Sequence, residues 1–167
     1  MTDNVILIGM PGAGKSTVGV LLAKQLGFDF VDTDLLLQRQ ERLRLQQLIT
    51  LKGLNSFRKA EEQMLLSLNC ESTVIATGGS VIYSESGMAH LKNLGQRIYL
   101  NISLSQLTDR IADMGERGIL MPVGQSFADL YDERSPLYRC YADVDIQIDG
   151  LGVEEVLQKI ENYVQKS

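Results

Sequence analysis

Val5-Ile6-Leu7-Ile8-Gly9-Met10-Pro11-Gly12-Ala13-Gly14-Lys15-Ser16-Thr17 joins an aliphatic run to a glycine-rich turn, and the turn to a helical pattern. The aliphatic run reads as a strand buried on both faces, and Val18, Leu21, Leu22 and Leu26 then recur at helical spacing. Gly9 to Ser16 fits G-x-x-x-x-G-K-[ST] without a mismatch, in the strand–loop–helix context that a phosphate-binding loop needs. Glycines let backbone N–H groups turn inward onto phosphate oxygens, and the helix N-terminus adds its positive dipole end. The cradle is assigned to Gly12, Ala13, Gly14, Lys15, Ser16 and Thr17. Lys15 is expected to reach the β- and γ-phosphates, and the Ser16 hydroxyl to ligate Mg²⁺. At average composition such a match arises by chance in roughly one chain of this length per couple of hundred. An ordinary glycine-rich turn gives no reason for Lys15 and Ser16 at that register, so nucleotide binding is the working premise.

The rest of the composition narrows the partners. The 167 residues, 44% of them hydrophobic, suffice for one sizeable core, and no linker-like stretch divides them, so residues 1–167 are expected as a single domain. A buried-type strand beginning by residue 5 leaves no room for a targeting peptide, and no apolar run approaches the length of a membrane span. A cytoplasmic protein, off the membrane, is expected. Cys70 and Cys140 have neither metal-ligand nor redox spacing and are expected to be reduced and structural. The net charge of −5 opposes nucleic-acid binding. A small anionic substrate would need local arginines working against that field, which makes individual Arg positions informative.

Downstream, Phe28 to Asp32 reads as a second strand ending in Asp32-Thr33-Asp34. Strand ends on this side of an open α/β sheet face the ligand. Alternation across the strand end would aim Asp32 and Asp34 in similar directions, one holding Mg²⁺ through water and the other meeting an acceptor hydroxyl. The plainer reading makes Asp32 or Thr33 the N-cap of a helix starting at Leu35. A helical period spans Leu35 to Leu51, and a turn is expected at Lys52-Gly53. A further helix over about 55–68 places Phe57, Ala60, Met64, Leu65 and Leu68 inward. Arg58 and Glu61, three apart, share a face, and for Arg58 one half of a surface ion pair is the ordinary expectation.

Thr73 to Ala76 is a third strand, with Gly78 and Gly79 allowing close approach to a ligand at its end. A helix over Gly87 to Asn93 places His90 on its surface, without chemistry. Gln96 to Asn101 forms a fourth strand, and Ser103 caps the next helix, which carries Leu107, Arg110 and Ile111. Met114 to Gln125 is glycine-rich around Arg117 and reads as a lid or else a solvated connector. Phe127 to Tyr141 is helical, with Pro136 implying a start or kink near Ser135. Val144 to Ile148 alternates as a fifth strand, and the last helix carries Val153, Val156, Leu157, Ile160 and Val164 inward. Strands alternating with helices predict an α/β fold: a three-layer α/β/α P-loop sandwich with a five-stranded parallel sheet and a mobile lid over about 114–125. The strand order is not legible.

Taken together, GMPGAGKST at 9–17, DTD at 32–34, Phe57-Arg58, TGG at 77–79, Arg117 and RSPLY at 134–138 resemble the shikimate kinase family, related to the nucleoside monophosphate kinases. The resemblance implies ATP-dependent phosphorylation of the 3-hydroxyl of shikimate, a step toward aromatic amino acids, with Mg²⁺. It implies Lys15, Asp34 and Arg117 as catalytic, Ser16 and Asp32 at the metal, and Arg110 over the adenine. The substrate is met by Asp34, Arg58, Gly78, Gly79 and Arg134, with a substrate-binding helical segment over about 33–62. A monomer is expected. The chain departs from the family's pattern at Arg42 and Ser80, where glycines are usual, at Leu54, where an acid is, and at Gly118, where a proline is. Serine at position 80 would be strained if its φ were positive. Two other readings stay open: a related kinase of another hydroxylated carboxylic acid, and a nucleotide-binding regulatory protein without turnover.

Overall fold

The computed structural model describes residues 4–114, 121 and 123–164. Strand β1 (Asn4–Ile8) is buried at every position and occupies the centre of a parallel sheet ordered β2-β3-β1-β4-β5. Its neighbours are β3 (Thr73–Ala76), with Leu7 beside Ala76, and β4 (Gly95–Asn101), with Leu7 beside Ile98. The edges are β2 (Asp29–Asp32), exposed or half-buried throughout, and β5 (Val144–Gln147), buried only at Ile146, because one side of each lacks a partner strand. Buried Asn4 fastens the N-terminal end of the sheet. Its amide donates to the carbonyls of Cys70 and Leu94, and its oxygen accepts from the Thr73 N–H.

Helices cover both faces, as right-handed parallel connections require. α1 (Lys15–Leu26) packs with α8 (Val153–Val164) on one side. On the other, α4 (Leu54–Ser67) packs with α5 (Glu85–Leu94), and α7 (Phe127–Tyr141) lies against β4. α6 (Leu104–Met114) follows β4. The expected inward residues are buried or half-buried, except that Leu21 and Val153 are exposed at the margins of their helices.

The five strands fall where the sequence places them, to within a residue at their ends. The expected Leu35–Leu51 helix is instead two: α2 (Thr33–Glu41) and α3 (Leu45–Lys52). Between them Arg42 adopts a left-handed backbone, φ 55°, and hydrophobic periodicity gives no sign of such a break. Pro136 starts no new helix. α7 runs through it from an Ser126 N-cap, and the Asp132 carbonyl that loses its donor belongs to an exposed residue. Ser80 has φ −92°, so the strain expected of a positive φ does not arise.

The order of strands fixes where a ligand fits. The chain leaving β1 travels toward β2, whereas the chain leaving β3 crosses β1 to reach β4. The loops after β1 and β3 therefore diverge and open a crevice at the carboxyl end of the sheet. Residues 9–14 line one side and residues 77–80 the other.

Candidate active site

The loop after β1 has the backbone its glycines were expected to supply: φ is 83° at Gly12 and 93° at Gly14, which caps α1. Lys15 is buried and its ammonium donates to the carbonyls of Gly9 and Met10, at 2.7 and 2.8 Å. Burial lowers its pKa to about 8, and Arg134 adds to the effect while Asp34 and Asp32 oppose it. Ser16 and Thr17 are exposed at the start of α1, and Ala13 is buried beneath the loop. Arg110 reaches from α6 to the Ala13 carbonyl, 3.2 Å away, which places its guanidinium beside Gly14.

Asp32 serves two partners. Its Oδ2 accepts from the Ser16 hydroxyl at 2.7 Å, and its Oδ1 accepts from the N–H groups of Asp34 and Leu35, capping α2. The capping alternative for Asp32 is thus correct for one of its oxygens. Asp34 lies in the first turn of α2, so helix geometry rather than strand alternation directs it. A Cβ on Gly78 would sit 2.5 Å from Asp34 Oδ1 and 3.1 Å from Glu61 Oε1, so glycine here leaves room for two acids. Burial raises the Asp34 pKa to about 6, with Asp32 adding to it and Lys15 opposing.

Glu61, only 2% exposed, is a member of the site that the sequence marked merely as sharing a face with Arg58. Its two oxygens share the Ser80 hydroxyl, at 2.9 and 2.8 Å, and burial pushes its carboxyl up to about 7 despite that bond. Ser80, a departure from the family's pattern, is therefore built into the site rather than strained. Thr33 was also missed as a site residue: it is fully buried, and its hydroxyl accepts from the Gly78 N–H.

The two arginines meet. The Arg58 guanidinium carbon stands 4.5 Å from the centroid of the Tyr83 ring, and that of Arg134 stands 5.4 Å from the same ring. Arg134 is buried, and a Cβ on Gly79 would lie 2.9 Å from its Nη1. Among the described residues neither arginine has a carboxylate within 4.0 Å, and Arg58 Nε is buried with no hydrogen-bond partner. The surface ion pair expected of Arg58 is absent there. Tyr138, stacked on Tyr99 at 5.2 Å, donates to the Gly79 carbonyl and holds that loop from below. Tyr83, on a 3-10 turn (Val81–Tyr83), left no signal in the sequence, whereas Tyr138 closes the RSPLY motif but is given no role there.

Other expectations fall outside the cluster. His90 is half-buried against the Leu68 carbonyl at 2.8 Å, not on the surface. Cys70 and Cys140 are both free thiols. Arg117 and Gly118 lie outside the described residues. Among the described residues no helix is long and apolar enough to cross a membrane, and no cluster of His, Cys, Asp or Glu could by itself hold a metal.

Fold and crevice define a P-loop α/β/α protein with a phosphate cradle on one wall and a cationic recess on the other. Residues 11–165 match the family model described as Shikimate kinase. A shikimate kinase of Francisella tularensis subsp. novicida is 34% identical over 98% of this chain and 95% of its own length. Among solved structures, a shikimate kinase from Acinetobacter baumannii in complex with shikimate aligns with a TM-score of 0.87 at 30% identity, covering 98% of this chain and 93% of that one. Shikimate kinase from Aquifex aeolicus gives 0.81 at 30% identity, over 98% and 96%. The chain belongs to the shikimate kinase family.

Proposed function

We propose that the chain transfers the γ-phosphoryl group of ATP to the 3-hydroxyl of shikimate, as a cytoplasmic monomer. The observation that carries this reading is the meeting of Arg58 and Arg134 at one aromatic ring, beside Asp34 and across the crevice from the phosphate loop. A protein that only binds nucleotide has no use for two guanidinium groups brought to one ring with no carboxylate within 4.0 Å among the described residues.

Gly12 to Thr17 would receive the triphosphate on backbone N–H groups. Lys15 would exchange its bonds to the Gly9 and Met10 carbonyls for phosphate oxygens. Arg110, already at Ala13, would lie over the nucleotide. The facing oxygens of Ser16 and Asp32 suit a hard cation held through water and phosphate, so they would hold Mg²⁺. When bound, that ion neutralises phosphate charge.

Arg58 and Arg134 would grip the shikimate carboxylate, with the backbone of Gly78 and Gly79 against the ring hydroxyls. Each charge-assisted bond contributes about 1.5–3 kcal/mol, so the pair supplies roughly the 4 kcal/mol of a millimolar affinity. Asp34 would orient the 3-hydroxyl and accept its proton as the oxygen–phosphorus bond forms and the bond to ADP breaks. A carboxyl raised to about 6 is closer in basicity to this task than an ordinary one and is still mostly ionised at neutral pH. Arg117 is proposed to meet the transferring phosphoryl group.

ADP release measured with shikimate, with quinate and without an acceptor tests the assignment. Shikimate should stimulate turnover far above the acceptor-free rate. A preference for quinate would move the activity to another hydroxy acid. The absence of stimulation by either would leave only a nucleotide site.

A further inference from the structure

Two guanidinium groups repel each other, yet Arg58 and Arg134 are held at the same ring. Arg58 comes from α4 and Arg134 from α7, elements well separated in sequence, and both guanidinium groups come within 5.4 Å of the half-buried Tyr83 ring. The negative face of an aromatic ring attracts cations, so Tyr83 offsets part of that repulsion before any anion arrives.

The ring is itself fixed. Its turn is closed by a bond from the Tyr83 N–H to the Ser80 carbonyl, 3.1 Å. Its hydroxyl donates to Glu133 Oε1 at 2.7 Å and receives a long contact from Arg134 Nε at 3.4 Å. The other oxygen of Glu133 accepts from Gln125 at 2.7 Å, at the end of the glycine-rich segment. Glu133 thus carries two hydrogen bonds and, like Glu61, acts on both arginines through its charge without an ion-pair contact within 4.0 Å among the described residues.

Resting on the reading of Arg58 and Arg134 as the carboxylate clamp, we propose that Tyr83 is the positioning residue of that clamp: it holds both guanidinium groups at the spacing one carboxylate requires. Tyr83 contributes through the face of its ring rather than through its volume. The hydroxyl adds orientation by way of Glu133.

The test compares Tyr83→Leu, Tyr83→Phe and a ring-fluorinated phenylalanine at position 83, which keeps the shape of the ring and weakens its negative face. Each is assayed with shikimate and with its neutral carboxamide, following KM for both substrates and kcat. Tyr83→Leu should raise the KM for shikimate about tenfold, leave the KM for ATP unchanged and alter kcat less than threefold. Tyr83→Phe should restore most of the loss, and fluorination should remove it again. The carboxamide should show no such series. A shikimate KM that ignores fluorination, or a carboxamide KM that rises in parallel with it, overturns the role of Tyr83. Should the unaltered protein bind acid and carboxamide equally, the clamp reading fails first and the Tyr83 proposal with it.

Discussion

The phosphate loop and the recess facing it share one crevice but are built in opposite ways. Residues 9–16 are contiguous, and their geometry follows from glycine backbone, the central strand and the first turn of α1. The recess draws Asp34, Arg58 and Glu61, Gly78 to Tyr83, and Arg134 from α2, α4, the loop after β3 and α7. In the proposed reading the first wall recognises mainly through backbone N–H groups, with Lys15 and Ser16 beside them, and the second mainly through side chains. A backbone cradle tolerates little change at its glycines, whose positive φ other residues rarely adopt. A side-chain recess can be re-cut one residue at a time, as Ser80 illustrates by bonding to Glu61 where the resemblance led to a glycine.

Substitutions on the recess wall should therefore separate acceptor use from nucleotide binding. Asp34→Asn is expected to have the largest effect, a loss of about 10²–10⁴ in kcat with the KM for ATP nearly unchanged. The acid limb of the pH–rate profile near 6 should vanish with it. An equal loss of ATP affinity would put Asp34 on the nucleotide wall. Arg58→Ala should raise the KM for shikimate about 10–100-fold, the loss of one charge-assisted pair, and kcat should move less.

Glu61→Gln sharpens the comparison through stability. With a folded-state pKa near 7 against an ordinary 4.5, Glu61 binds more protons folded than unfolded between those values. Its neutral form favours the fold below about pH 4.5, and that advantage is lost as pH rises through 7. Glu61→Gln keeps a neutral group at every pH and should gain about 2–3 kcal/mol at pH 8 relative to pH 4. Melting curves at the two values would show this as roughly 5–10 °C. No difference between them would mean that Glu61 ionises without cost. The smallest effect is expected away from both walls. Arg42→Gly relieves a left-handed arginine and should raise Tm by about 1–4 °C with kinetics unchanged. A fall in Tm would show that the arginine side chain contributes more than its backbone costs.

Much of this molecule is local information. The strand–loop–helix at the start, the five buried or alternating runs, and the glycines after β3 are visible because periodicity and turn chemistry act over a few residues. Asp32 and Asp34 were visible as a pair, but the reason for their directions was not, since the helix begins two residues earlier than Leu35 suggests. The split between α2 and α3 was hidden because arginine in a left-handed conformation carries no signature of its own. Glu61 showed only a shared face with Arg58. That it would be buried, bonded to Ser80 and raised toward 7 depended on a loop from the far side of β3.

The sequence alone determined the phosphate cradle, the class of sheet and the residue types available to meet an anion, because short-range sterics and hydrophobic patterning suffice for each. Only the tertiary structure decided the strand order, the double use of Asp32, and the ring on which Arg58 and Arg134 converge. Those depend on contacts between residues tens of positions apart, whose free energy comes from packing the whole sheet rather than from any segment of it.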